Sequence, residues 1–98
     1  MSVFPLQIIS PEGSVWEGDT EAVTVCGIEG SMGIWANHAP MITVLIPGVI
    51  KVRTPDEKKF FAGGDGVLEV RIDKQVVLLV DYAEPYPTEE EAKKHLKA

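Results

Sequence analysis

Glycine and proline turns interrupt this chain repeatedly, and only short apolar runs lie between them. In one run Val23 and Val25 share a face while Ala22 and Thr24 share the other, which is the two-residue period of a β-strand. The longest apolar run, Val76–Val80, is far shorter than the ~20 residues that a membrane helix needs. About eight short strands, spaced about eight to twelve residues apart, predict a mainly β fold, an antiparallel two-sheet sandwich.

The turn residues set the bounds of the predicted strands. The strands comprise residues 3–10, 14–17, 20–26, 41–46, 49–53, 58–62, 67–72 and 75–80. In the seventh of these, Leu68, Val70 and Ile72 are expected to face the core, and the last strand, apolar on both faces, is expected to be central. Three glycines at a spacing of three predict that residues 27–40 form a tightly turned loop.

The sequence changes character after residue 84. Two prolines within residues 84–87 predict a stiff linker. The expected organisation is therefore a β-sandwich domain at residues 1–84, followed at residues 85–98 by a linker and one short C-terminal α-helix.

A capping box predicts where this helix begins. Thr88 is the N-cap and Glu91 follows three residues later. Only Ala92 and Leu96 supply an apolar face, and about eleven residues are fewer than the ~12–15 that are marginal in isolation. We expect the helix to fray unless another part of the chain holds it.

Charge and composition argue against several classes of function. With 15 acidic and 9 basic residues the net charge is −6, which would repel nucleic acid phosphates and anionic lipid headgroups. One cysteine, Cys26, and two histidines argue against a disulfide or a zinc site and suit a reducing, cytosolic compartment. Cys26 is expected in a packed face, no signal peptide is predicted, and no cofactor is predicted.

The stretch from Gly27 to Gly48 carries a family resemblance that continues downstream. Its ordered blocks are Gly27-x-x-Gly30-x-x-Gly33-Ile34, His38-Ala39-Pro40, Thr43 and Pro47-Gly48, then Gly63-Gly64, Gly66-x-Leu68-Glu69-Val70 and Val77-Leu78-Leu79-Val80-Asp81-x-Ala83. In this order and spacing, from about residue 3 to residue 83, the chain resembles the epsilon subunit of F-type ATP synthases, called delta in mitochondria. The resemblance implies a flattened β-sandwich followed by a helical hairpin, of which residues 85–98 are a remnant.

The resemblance also implies a function. It implies a non-catalytic central-stalk subunit of a proton- or sodium-translocating ATP synthase, peripheral to the cytoplasmic face of the inner or plasma membrane. One surface of the sandwich would bind the gamma subunit and its glycine-loop end the c ring, with the alpha/beta catalytic head and regulation of ATP hydrolysis as further implications. The candidate interface residues are Glu29, Ser31, Met32, Trp35, His38 and Met41.

An alternative comes from the residues themselves. His38 with Asp81, and Ser31 or Ser10 as nucleophile, would make a small hydrolase or ligand-binding sandwich. No Gly-x-Ser-x-Gly elbow surrounds either serine, and a histidine that braces residues 36–40 by hydrogen bonds is the competing interpretation. The glycine stretch also lacks the Lys-Ser/Thr ending of a phosphate-binding P-loop.

Overall fold

The computed structural model describes residues 2–97, which form ten strands and one α-helix. Helix α1 is Glu89–Lys94. The strands in chain order are β1 (Phe4–Ser10), β2 (Gly13–Thr20), β3 (Ala22–Gly27), β4 (Gly30–Trp35), β5 (Met41–Leu45), β6 (Gly48–Arg53), β7 (Lys58–Gly63), β8 (Gly66–Val70), β9 (Val76–Val80) and β10 (Ala83–Tyr86).

The strands form two layers that are joined through β3 and β5. The first layer has the spatial order β4-β3-β6-β7-β10, and the second has the order β5-β8-β9-β1-β2. At the joint Gly27 pairs with Leu45, and the backbone N–H of Ile28 donates to the carbonyl of Val44 at 3.0 Å. The predicted two-sheet sandwich is confirmed, with the difference that β1 and β9 pair in parallel.

Apolar side chains, most of them aliphatic, meet in one core between the two layers. The first layer contributes Val23, Val25, Ile34, Ile50, Val52 and Phe61, and the second contributes Phe4, Leu6, Ile8, Leu45, Leu68, Val70, Val76, Leu78 and Val80. Val23 and Val25 share this inner face, as their spacing predicts. Strand β9 lies between β8 and β1, so its predicted central position is also confirmed.

The prediction that residues 27–40 form only a loop is wrong for the part that becomes β4. Gly27 pairs with Gly30 across a two-residue turn, and Gly30 has φ 129°, which suits glycine. Beyond the turn Ile34 enters the core. Gly27 and Gly30 therefore close a hairpin between β3 and β4, and the residues after Gly30 form strand β4.

Ile72 does not face the core, contrary to the period-two prediction. Strand β8 ends at Val70, and Ile72 is 86% exposed. The chain turns here because the N–H of Lys74, at φ 74°, donates to the carbonyl of Arg71, while the N–H of Arg71 donates to Gln75. This tight turn ends the alternation of buried and exposed side chains at Val70, two residues earlier than the sequence predicts.

The prediction that residues 84–87 form a linker is wrong for residues 84–86. Strand β10 pairs antiparallel with β7, from Ala83 opposite Gly63 to Tyr86 opposite Phe60. Pro85 is tolerated because β10 is an edge strand, where one missing backbone donor breaks no second ladder. The division of the chain at residue 84 stays a prediction.

Helix α1 lies against the outer face of the first layer. The hydroxyl of Thr88 accepts a hydrogen bond from the N–H of Glu91 at 3.1 Å, which confirms the predicted N-cap. Ala92 is fully buried in a small second cluster with Val49 and Ala62. No helix among residues 2–97 has the length and apolar composition needed to span a bilayer.

Candidate interaction surfaces

The outer face of the second layer carries a row of aliphatic side chains. Val44 pairs with Val67, Val67 pairs with Leu79, and Leu79 pairs with Ile9, so the row crosses β5, β8, β9 and β1. We call Ile9, Val44, Val67 and Leu79 the aliphatic row. It exists only because four strands bring one outward residue each to the same level of the sheet.

This row is accessible to solvent. Val44 is 49% exposed and Leu79 is 44% exposed, and Ile42, one outward position along β5 from Val44, is 70% exposed. Neighbouring apolar side chains that remain open to water are typical of a surface that a partner covers. The opposite surface of these strands forms the core, so at the level of the row the second layer is apolar on both faces.

Turns from both layers converge at one end of the sandwich. Gly27 pairs with Leu45, Leu45 with Gly66, and Gly66 with Val80, which places the β3–β4, β5–β6, β7–β8 and β9–β10 turns together. The β1–β2 turn joins them because Ile9 pairs with Leu79. We call this the glycine-turn end.

The glycine-turn end is acidic around an exposed apolar residue. Ile28 is 63% exposed at the tip of the β3–β4 turn. The exposed carboxylates of Glu12, Glu29, Asp65 and Asp81 come from four different turns at this end, and within the described residues these turns carry no lysine or arginine. Sequence reasoning placed only Glu29 at this interface and named Asp81 for a catalytic role, because nothing in the linear chain shows that the other three turns lie beside the β3–β4 turn.

The structure does not bring His38 and Asp81 together. Asp81 follows β9 at the glycine-turn end, whereas His38 lies in the loop before β5, at the end where Met41 pairs with Val70. The length of β5 therefore separates them, roughly 13 Å at ~3.3 Å per residue. His38 Nδ1 instead donates to the carbonyl of Ala39 at 2.8 Å, which fits the bracing interpretation.

The serines of the catalytic alternative are no better placed. Ser10 lines a hollow of about 570 Å³ with Asp81, at the end far from His38. Ser31 lies on β4 and pairs with Cys26 on β3. Among residues 2–97 no group of three or more histidine, cysteine, aspartate or glutamate side chains is arranged to hold a metal ion.

Comparison with known sequences decides the family. The sequence model described as ATP synthase, Delta/Epsilon chain, beta-sandwich domain matches residues 3–86. The chain belongs to this family.

Relatives in the delta/epsilon family are moderately similar in sequence. An ATP synthase epsilon chain of Persephonella marina is 36% identical over 78 residues, covering 79% of this chain and 57% of that one. An epsilon chain of Rhodopseudomonas palustris is 37% identical over 87 residues, covering 89% of this chain and 64% of that one. The chain thus spans about six tenths of the length of these curated relatives.

Solved structures share the delta/epsilon fold. A chain in the mitochondrial ATP synthase of Euglena gracilis, resolved as an OSCP/F1/c-ring assembly, superposes with a TM-score of 0.81 at 21% identity, covering 96% of this chain and 61% of that one. A chain in the central stalk and c ring of the Tetrahymena thermophila enzyme has a TM-score of 0.72 at 20% identity, covering 82% of this chain and 64% of that one.

In this member of the delta/epsilon family, the candidate interface residues do not form one surface. Glu29 and Ser31 are exposed at or beside the glycine-turn end. Trp35 is exposed on the first layer at the far end of β4, and His38 lies in the loop that follows. Met32 and Met41 pack partly buried against the core. The roles of these six residues stay predictions. Sequence reasoning missed the aliphatic row, which is an exposed apolar surface on the second layer.

Two tyrosines, Tyr86 on β10 and Tyr82 in the turn before it, contact the residues that follow α1. The rings of Tyr86 and His95 are stacked, with centroids 4.5 Å apart and planes inclined by 14°. Partial removal from water, and then the carboxylate of Glu84, raise the pKa of the Tyr86 hydroxyl, while Lys97 acts in the opposite direction. Tyr82 accepts a hydrogen bond at its hydroxyl from the N–H of Lys97 at 2.9 Å.

Proposed function

We propose that this chain acts as a non-catalytic central-stalk subunit of a proton- or sodium-translocating F-type ATP synthase, at the membrane surface. In this proposal the aliphatic row binds the gamma subunit and the glycine-turn end contacts the c ring. The subunit would thereby help to couple ion flow to ATP synthesis. The observation that carries the proposal is the family match over residues 3–86, joined to two separate unpartnered surfaces on one sandwich.

The aliphatic row suits a permanent partner. A stalk subunit transmits torque, so its contact with gamma should be broad and stable, and obligate interfaces are more apolar than transient ones. Val44 and Leu79 sit on regular strands, which hold the surface more rigidly than loops do. The apolar core directly beneath fixes those strands in place.

The glycine-turn end suits a different partner. Its exposed Ile28 and Glu29 occupy a turn closed by glycines, and its other carboxylates would attract a basic surface. The two proposed contacts therefore differ in physical character. Binding at the aliphatic row should resist salt, whereas binding at the acidic end should weaken as salt screens the charges.

Two variants separate these contacts, and each is the control for the other. Leu79→Asp places a carboxylate within the aliphatic row and should weaken binding of purified gamma by about tenfold or more. Ile28→Asp should leave gamma affinity unchanged within about twofold, and weaken retention on purified c ring in detergent. Equal loss of gamma binding in both variants, with thermal unfolding unchanged, would overturn the assignment of surfaces.

A salt series tests the same proposal on the unaltered chain. Gamma affinity measured by calorimetry should vary by less than about threefold between low and moderate salt, because apolar burial is not screened. A fall of several decades would show that charge, not the aliphatic row, holds gamma. Failure to bind gamma at any salt concentration would reject the central-stalk role itself.

A further inference from the structure

Three strands of the sandwich have a neighbouring strand on one side only. Strands β2 and β10 end the two layers, and β4 pairs with β3 alone among residues 2–97. The free edge of such a strand presents unpaired backbone N–H and C=O groups, and it pairs with a strand of another chain unless the sequence prevents this. Bulges, charged side chains, prolines and short edge strands are the usual protection.

Strands β2 and β10 are protected in this way, and β4 is not. The β1–β2 register shifts between Ile8 and Ile9, and β2 carries the exposed charges of Glu17 and Asp19. Strand β10 has four residues, and one of them is Pro85. Strand β4 has six uncharged residues without proline, and it pairs with β3 along its whole length without a bulge. Its free edge is therefore the one least hindered from accepting another strand.

Every second residue of β4 directs its backbone hydrogen-bonding groups away from β3. On the side of β3 that faces β5, the carbonyl of Cys26 accepts from the N–H of Ile46 at 3.0 Å. Cys26 and Ser31 are therefore a pair without mutual hydrogen bonds, and bonded and unbonded pairs alternate along an antiparallel ladder. The free backbone groups of the β4 edge consequently belong to Ser31, Gly33 and Trp35.

Gly33 and Trp35 shape the outer surface beside this edge. A Cβ atom added at Gly33 would lie 2.7 Å from the Trp35 ring, so the ring lies across Gly33 on the outer face. The Trp35 side chain nevertheless remains 58% exposed. Exposed indoles are typical of surfaces that a partner covers, and glycine within a strand permits another backbone to approach closely. Both features fit a second strand at this edge.

We propose that two copies of this chain associate by pairing their β4 strands antiparallel about a two-fold axis. A register centred on Gly33 uses all three free positions, because Gly33 then opposes its counterpart and Trp35 opposes Ser31 of the second copy. The large indole thus meets a small side chain, and β4 itself brings no charge into the contact. The same register places Glu29 opposite Asn37 of the second copy, so the two Glu29 carboxylates stay apart.

The small size of this contact determines its expected strength. A stable complex buries about 800 Å² per partner, and a six-residue strand edge offers less. Each copy also carries a net charge of −6, which opposes association at low salt. We expect a dimer with Kd on the order of 100 μM that is strengthened by salt. Neither the aliphatic row nor Ile28 takes part, so this pairing is independent of the contacts proposed for gamma and the c ring.

Sedimentation equilibrium of the whole chain between about 10 and 500 μM tests the pairing, because this range brackets the expected affinity. The average mass should rise with concentration from that of one chain towards that of two. Ser31→Lys places a charge on the free edge of β4 and should weaken association by about tenfold or more. Ser14→Lys is the matched control on the β2 edge and should leave the affinity unchanged within about twofold.

Two outcomes of this experiment would contradict the proposal. Equal weakening in the two variants, with thermal unfolding unchanged, would show that the β4 edge is not the contact. A chain that stays monomeric at every concentration and at moderate salt would overturn the dimer and leave the β4 edge to a strand of a different protein.

Amide exchange measured residue by residue tests the register on the unaltered chain. The N–H groups of Ser31, Gly33 and Trp35 should exchange about threefold more slowly at 500 μM than at 10 μM, because pairing removes them from water. The N–H groups of Met32 and Ile34 already bond to β3 and should not change. A rise in mass without this alternation along β4 would assign the contact to another surface and reject the β4 pairing.

Discussion

Gly66 on β8 lies directly against the backbone of Leu79 on β9. A Cβ atom added at Gly66 would collide with the carbonyl oxygen of Leu79 and would lie 2.8 Å from Cα of Val80. Because Gly66 also pairs with Leu45, this contact sits where the second layer meets the joint between the layers. The close approach therefore requires glycine at this position, next to the Val67–Leu79 pair of the aliphatic row.

Gly66→Ala is expected to destabilise the sandwich by about 1–3 kcal/mol, because the added methyl group meets backbone that cannot move independently. Gly33→Ala is the control. There the new Cβ would meet the ring of Trp35 at 2.7 Å, and that exposed ring can swing outward. Urea unfolding should show the larger loss for Gly66→Ala, and equal losses would contradict this explanation.

The exposed position of Ile72 can be tested by comparing it with Leu68, because the sequence pattern predicts both residues on the same face of one strand. Ile72→Ser should change the free energy of unfolding by less than about 0.5 kcal/mol, since Ile72 lies on the surface. Leu68→Ala should cost about 2–5 kcal/mol, since Leu68 is fully buried. Thermal unfolding of both variants checks this, and a large loss in Ile72→Ser would place that residue in the core after all.

The N-cap should control α1 without affecting the sandwich. Thr88→Ala removes the acceptor for the Glu91 N–H and should destabilise the helix by about 1 kcal/mol. The expected result is faster hydrogen exchange at residues 89–94, with the unfolding midpoint of the strands nearly unchanged. Thr88→Ser retains the hydroxyl and serves as the control. A cooperative loss of the whole fold would show that α1 is integral to the core.

The raised pKa of Tyr86 predicts a dependence on alkaline pH. Since the folded state disfavours the ionised phenol, its contribution to stability is present below the ordinary tyrosine pKa of about 10 and is lost as pH rises through the folded value. Glu84→Gln should move the tyrosinate absorbance titration to lower pH, and Lys97→Gln to higher pH. Tyr86→Phe identifies the signal, and no shift in either variant would contradict the assigned causes.

The sequence by itself located eight of the ten strands, several turns and the cap of α1, and it missed β4 and β10. These features depend on neighbours in the chain: the period of two that places Val23 and Val25 together, and the hydroxyl of Thr88 three residues before the N–H that it binds. The ordered glycine, histidine and proline blocks also identified the family, and the family match over residues 3–86 confirms that identification.

Only the tertiary structure decided which surfaces exist. The aliphatic row takes one residue from each of four strands, and its level depends on strand register and on the parallel β1–β9 pair. The acidic end takes its carboxylates from four separate turns. Ile72 follows the strand period in sequence but leaves the sheet because hydrogen bonds between Arg71 and its neighbours close a turn there. The aliphatic row and the acidic end depend on pairings between residues distant in the chain, and local patterns carry no information about such pairings.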